Sequence, residues 1–234
     1  MNSAQAEEAR IREAYQRRPA DGRYSWFRQD QALRMQQLEQ AVLDALRARG
    51  VAALDSWRIL EVGCGSGYWL RQFIQWGAKP ENLAGVDLLG SRVAAAKRLC
   101  PSAVKICRAN AASLSFADQS FDLVFQATVF TSILDANLKT QVAAEMMRVA
   151  RDDGLILWYD FRVNNPRNAD VRGVNRREIQ KLFPGCRITL RPLTLAPPIA
   201  RRIAPYSWLA CYLLSQIPWL CTHYLGVIRK QASA

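Results

Sequence analysis

The chain has 234 residues, a formal net charge of +12 and an apolar content of 50%. That is the size of one α/β domain with additions, able to bury roughly 70–75% of its unfolded surface, so no disulfide or metal staple is needed. Six cysteines without a Cys-x-x-Cys pair and one histidine, His223, argue against a structural zinc site. They predict small buried thiols in a reducing, cytoplasmic compartment and no metal.

Residues 1–18 are polar and charged with no apolar h-region, which argues against a secretory signal. Residues 3–18 carry helix formers and opposite charges at i,i+4 but few apolar positions, which predicts a loosely held helix. Pro19 to Gly22 breaks it. An aromatic cluster, Tyr24 to Phe27, then precedes a second helix over about 29–49 with Leu33, Met35, Leu38, Val42, Leu43 and Leu46 on one stripe. Tyr24 and Trp26 have two readings: packing beneath that helix, or closing over a ligand.

Ile59-Leu60-Glu61-Val62 reads as a buried strand that turns through Gly63-Cys64-Gly65-Ser66-Gly67 into a helix over about 66–76. Glycines are needed where backbone must approach a ligand or take positive φ. The dinucleotide pattern Gly-x-Gly-x-x-Gly is not met, because its last glycine would fall on Tyr68. Leu83 to Asp87 is a second buried strand ending in a carboxylate 20 residues beyond Gly67. A carboxylate there offers two acceptors to a ribose diol, which fits a nucleoside cofactor without choosing one.

A helix over 90–99, a strand over 104–108, the run from Ala109 to Phe116 and a fourth strand beginning Phe121-Asp122-Leu123-Val124 follow. A helix over about 136–150 ends Glu145-Met-Met-Arg148-Val149, and Asp153-Gly154 leads into a fifth strand, Leu155 to Asp160. Strands and helices alternating in this way predict a parallel sheet covered on both faces.

Taken in order, the acidic residue before Gly-x-Gly-x-Gly, Asp87, the Asn110-Ala111 pair, Phe-Asp-Leu-Val and Glu-x-x-Arg-Val resemble the class I S-adenosylmethionine-dependent methyltransferases of the small-molecule type, over roughly residues 55–162. Asn110 stands where the family often has Asp, and Asp153 and Leu155 depart from its usual Pro-Gly-Gly. The resemblance implies a Rossmann-like α/β fold, a seven-stranded, mostly parallel sheet with helices on both faces and an antiparallel last strand. It also implies that S-adenosylmethionine contacts Glu61, Gly63, Cys64, Gly65, Gly67, Asp87, Leu88, Asn110, Ala111 and Gln126, with Tyr24 as a lid residue. Cys64 has nothing near it in sequence to activate it as a nucleophile.

For a hydroxyl acceptor a general base helps. Asp160, at the end of the fifth strand, has two readings: that base, as the resemblance implies, or a carboxylate capping a loop. Arg162 to Asn168 forms a polar loop at the ligand-binding edge, so Asn164, Asn165 and Arg167 are candidate acceptor contacts. Asn175 and Glu178 have capping-box spacing for a helix over 176–183. Strands over 187–195 and 223–229 flank a Trp- and Tyr-rich insert, 196–221, that holds Arg201-Arg202 and is too short and broken to cross a membrane. It reads as an acceptor pocket, an interfacial helix or a plain cap.

Residues 161–234 carry 12 Lys/Arg against 2 Asp/Glu, so the basic charge belongs to the last third and points to an anionic partner. The organisation expected is N-terminal helices and cofactor lid (1–50), cofactor-binding core (51–195), insert (196–221) and final strand with tail (222–234), all one domain. The expected function is methyl transfer to a small-molecule or lipid-linked acceptor, at a hydroxyl of a sugar or similar metabolite, with peripheral contact to an anionic inner-membrane face. Methylation of RNA or protein and a non-catalytic scaffold are the competing readings. The absence of an Asn/Asp-Pro-Pro-Tyr/Phe motif after strand four and of an appended RNA-binding module argues against nucleic acid.

Overall fold

A computed structural model describes residues 3–17, 22, 25–166 and 168–231. Seven strands form one sheet in the order β3-β2-β1-β4-β5-β7-β6. They are β1 (Ile59–Val62), β2 (Leu83–Asp87), β3 (Lys105–Arg108), β4 (Phe121–Ala127), β5 (Ala150–Phe161), β6 (Cys186–Leu195) and β7 (Cys221–Lys230). The first five pair in parallel, and β7 runs antiparallel to both β5 and β6. β1 lies between two parallel neighbours, β2 and β4, and is buried at all four residues, Glu61 among its apolar ones.

Helices cover both faces. On one lie α2 (Gln29–Arg47), α3 (Tyr68–Gln75) and α4 (Gly90–Leu99), with Leu38, Val42, Leu70, Phe73 and Ala96 packed on Ile59, Leu83 and Phe125. On the other lie α1 (Ser3–Gln16), α5 (Ala136–Val149) and α6 (Arg176–Leu182), with Ile11, Val142, Met146 and Ile179 packed on Leu60, Val124 and Ile156. Each fully buried Leu, Ile or Phe contributes about 1.5–3 kcal/mol. The caps follow the local sequence: Asp135 Oδ1 accepts from Leu138 N–H at 2.7 Å, and Asn175 Oδ1 from Glu178 N–H at 3.0 Å.

β5 begins at Ala150, earlier than its apolar run, because Ala150 pairs with Phe121 ahead of an irregularity in the ladder. The insert folds as α7 (Pro197–Ile203) and α8 (Trp208–Ser215), packed through Ala200, Ala204 and Cys211 onto Leu33 and Leu195. α1 is more firmly held than its composition predicts, because polar contacts add to the packing of Ile11. Glu7 accepts from the backbone N–H groups of Leu134 and Asp135, and Arg10 donates to Ser132 O at 2.6 Å.

Candidate active site

The order of the sheet reverses between β1 and β4, and both strands end at one crevice, where doubly wound sheets bind ligands. The glycine turn forms its floor. Gly63 and Cys64 donate to Val86 O, Gly65 N–H donates to Asp87 Oδ2 at 2.9 Å, and Leu89 N–H donates to Asp87 Oδ1 at 2.9 Å. Asp87 thus ties the turn to the entry of α4, and each of its oxygens keeps a further lone pair. Gly63 has φ +73°, and a Cβ there would meet Val129 Cγ2 at 2.4 Å. Gly67 has φ +75° and closes on Cys100 Sγ in the same way.

Above the floor is a cavity of about 540 Å³. Glu61, Gly63, Cys64, Gly65, Asp87, Leu88, Asn110 and Ala111 line one part of it. Glu8, Ile11 and Tyr15 of α1 line it as well, and Asn110 Nδ2 donates to Glu8 Oε1 at 2.7 Å. The remainder is lined by Trp26, by Gln31, Arg34, Met35 and Leu38 of α2, and by Tyr68, Trp69, Thr128 and Tyr159.

Glu61 is fully buried, and burial, reinforced by the nearby Asp87 carboxylate, raises its pKa well above the ordinary carboxylate value. Its Oε2 has no hydrogen-bond partner among the described residues. A buried carboxyl oxygen beside a cavity is costly unless a ligand satisfies it. Burial pushes the Cys64 thiol up, in keeping with an inert sulfur.

Residues 59–154 match the family described as "Methyltransferase domain". That stretch, less than half of the chain, carries a methyltransferase domain. An uncharacterized protein of Haemophilus influenzae is 29% identical over 157 residues, which make up 64% of this chain and 58% of that protein. The match therefore spans less than two thirds of that relative's length. Among solved structures, an S-adenosylmethionine-dependent methyltransferase from Mesorhizobium loti superposes with a TM-score of 0.57 at 18% identity, covering 81% of this chain and 98% of that one. A methyltransferase from Archaeoglobus fulgidus does so with a TM-score of 0.55 at 16% identity, covering 82% and 94%. The cyclase SpnF has a TM-score of 0.62 at 15% identity, covering 91% and 86%. At these identities the structures speak for the fold alone.

S-adenosylmethionine is the cofactor of this methyltransferase domain, and the residues present fit it. The orphaned Glu61 oxygen suits the ammonium of its amino-acid portion. The spare lone pairs of Asp87 suit the ribose diol, and the glycine turn leaves room for backbone contact. When bound, the cofactor supplies an electrophilic methyl group on a sulfonium.

Other expected contacts of the methyltransferase domain fall elsewhere. Gly67 stands behind the turn at the start of α3 and does not line the cavity. Gln126 is fully buried and holds the loop after β4, accepting from Val129 N–H at 3.0 Å and donating to Tyr159 O. Asn164 lies in a separate small pocket with Arg162, Arg172 and Glu178, where its Oδ1 accepts from Gly173 N–H. Asn165 lines neither cavity. Tyr24 and Arg167 lie outside the described residues.

Of the two readings of Asp160, its hydrogen bonds are those of a residue that holds a loop. It is fully buried, does not line the cavity, and accepts from Thr131 Oγ1 at 2.5 Å, Phe161 N–H at 2.9 Å and Thr131 N–H at 3.2 Å. Burial still pushes its pKa up to about 6 from an ordinary 3.8, the hydrogen bonds to it only opposing the shift. A raised acid favours the fold below its unfolded pKa, and that contribution is lost as pH rises. Wild-type stability should therefore fall between about pH 4 and 6. Asp160→Asn sets an amide N–H₂ against one of these donors and should cost about 1–3 kcal/mol at neutral pH, while removing that slope. Thermal unfolding across the window checks both, and a wild-type slope in the variant would contradict the assignment.

His223 is buried and neutral in tendency, stacked on Tyr159 with ring centroids 4.7 Å apart. The α2 wall is the part that sequence reasoning missed. Its signal was available: Gln31, Arg34, Met35 and Leu38 share one helical face, and two polar residues on a core-facing stripe suggest a lined cavity.

Proposed function

We propose that the whole protein methylates a hydroxyl of a small or lipid-linked acceptor that carries an anionic group near the reacting oxygen. The observation that carries this reading is Arg34, which lines the cavity and has no carboxylate within ion-pair distance among the described residues. Its Nε and Nη2 donate to Gln31 Oε1, at 3.1 and 3.0 Å, and it also interacts with the Tyr159 hydroxyl; both partners are neutral, so its charge remains for a carboxylate or phosphate. Trp26, Met35, Tyr68 and Trp69 add an apolar and aromatic wall suited to a ring or an acyl stem.

Much of the rate of an in-line methyl transfer comes from alignment, which such a walled cavity supports. For the proton, the cavity offers Tyr68, whose phenol donates to the Glu39 carboxylate. The acceptor proton passes to the Tyr68 oxygen as the phenolic proton passes to Glu39, so no free phenolate forms. That route suits the phenol, whose pKa is pushed up by burial and by Glu39.

Tritium transfer from labelled S-adenosylmethionine, scored against sugars, hydroxy acids and lipid-linked glycans, tests the reading. Arg34→Ala should raise the acceptor KM about tenfold or more, and Glu39→Gln should lower kcat by about 10²-fold or more with KM little changed. Equal rates in both variants, or transfer to RNA in preference to every small acceptor, would overturn it.

A further inference from the structure

The geometry points to the face built from residues 26–28 and 201–219 as a docking surface for an anionic lipid bilayer. Of the large apolar side chains that the described residues expose, only Leu99 and Val163 lie elsewhere. α8 is turned inside out relative to a soluble helix. Cys211 is its one fully buried residue, while Leu209, Tyr212 and Leu213, at i, i+3 and i+4, face solvent with more than half their surface exposed.

Two distant segments make this one surface. Trp208 Nε1 donates to Gln29 Oε1 at 2.9 Å, and Gln37 Nε2 to Ser215 Oγ at 3.3 Å, which set α8 against α2. Phe27, two residues before Gln29 in the chain, is 99% exposed, while Tyr206 and Trp219 are each 89% exposed.

Charge and shape together select the occupant. Residues 196–221 contain Arg201 and Arg202 and no Asp or Glu. The nearby Asp30 is already shared between Arg28 and Arg201. The surface is therefore net positive, which suits anionic headgroups and opposes a second copy, whose matching arginines a two-fold contact would bring together. Isolated protruding aromatics also suit acyl chains that can fill the space between them, whereas a protein interface core packs as densely as an interior. No helix among the described residues is long and apolar enough to cross a membrane, so the contact is interfacial.

Trp26 joins this surface to the cavity: it is half-exposed, lines the cavity, and its ring lies 5.5 Å from that of Tyr68. A lipid-borne acceptor could then enter from the bilayer, a consequence that rests on the methyl-transfer reading, whereas the docking does not.

Vesicle sedimentation tests the docking, with phosphatidylcholine alone and with phosphatidylcholine mixed with phosphatidylglycerol. The wild-type protein should bind the anionic vesicles at least about tenfold more tightly, and lose much of that preference at high salt. The triple variant Phe27→Ser, Leu213→Ser, Trp219→Ser should lose at least about tenfold in vesicle affinity, and Arg202→Glu should weaken anionic binding alone. Both should keep wild-type S-adenosylmethionine affinity by calorimetry, which shows that they fold. Equal vesicle binding by the triple variant, or no binding by the wild type, would overturn the proposal. So would a wild-type dimer that the triple variant dissolves on gel filtration, or a stable complex with a soluble protein that persists without lipid and is lost in that variant. Failure of the wild type to bind S-adenosylmethionine would instead count against the methyl-transfer reading and leave the vesicle result standing.

Discussion

Asp87→Ala should raise the dissociation constant for S-adenosylmethionine by about a hundredfold or more. The carboxylate holds Gly65 and Leu89 through backbone N–H groups at 2.9 Å each, and its remaining lone pairs are free for a ribose diol. Hydrogen bonds to a charged group contribute about 1.5–3 kcal/mol each, and losing two corresponds to at least two orders of magnitude. Asp87→Asn keeps one acceptor oxygen and should fall between the two. Calorimetric titration reads the change directly, and an unaltered affinity in Asp87→Ala would remove the ribose assignment.

Glu61→Gln should move stability and binding in opposite directions. In the free protein, burial raises the Glu61 pKa well above its ordinary 4.5, and Oε2 has no hydrogen-bond partner among the described residues. Its contribution to stability is therefore complete below about pH 4.5 and is lost as pH rises through the raised folded value. The glutamine variant does not suffer that loss, so at neutral pH it should unfold no earlier than the wild type. It also cannot pair with an ammonium as a charge, so S-adenosylmethionine should bind at least about tenfold more weakly. Thermal unfolding and calorimetry at neutral pH check both directions. A variant that melts earlier and binds equally well would mean that Glu61 serves the fold and not the cofactor.

The core of the fold was legible because each of its signals is local. An apolar run, three glycines, a carboxylate closing the next strand and the Phe-Asp-Leu-Val strand each report on backbone needs within a few residues. The cofactor half of the cavity inherits that legibility, and Glu61, Gly63, Gly65, Asp87, Leu88, Asn110 and Ala111 do converge. Gln126 and Asp160 look like site residues for the same local reason, since both sit at the ends of cavity-edge strands. Their side chains are taken up by Val129 and Thr131, contacts that depend on how the loop after β4 folds back.

The other half of the cavity was hidden because it is made by α2, an element remote from the glycine turn in sequence, and its lining residues differ only slightly from a core stripe. α1 was underestimated for a related reason. Periodicity measures apolar faces, whereas Glu7 and Arg10 hold this helix by bonding to the backbone of residues 132–135.

The measurement that tests the account most directly is calorimetric titration of the purified protein with S-adenosylmethionine and, separately, with NAD. The account predicts micromolar binding of S-adenosylmethionine, weakened in Asp87→Ala, and no heat with NAD. Binding of NAD, or of neither ligand, would contradict it, because the glycine turn, the Asp87 lone pairs and the orphaned Glu61 oxygen would then have no common occupant.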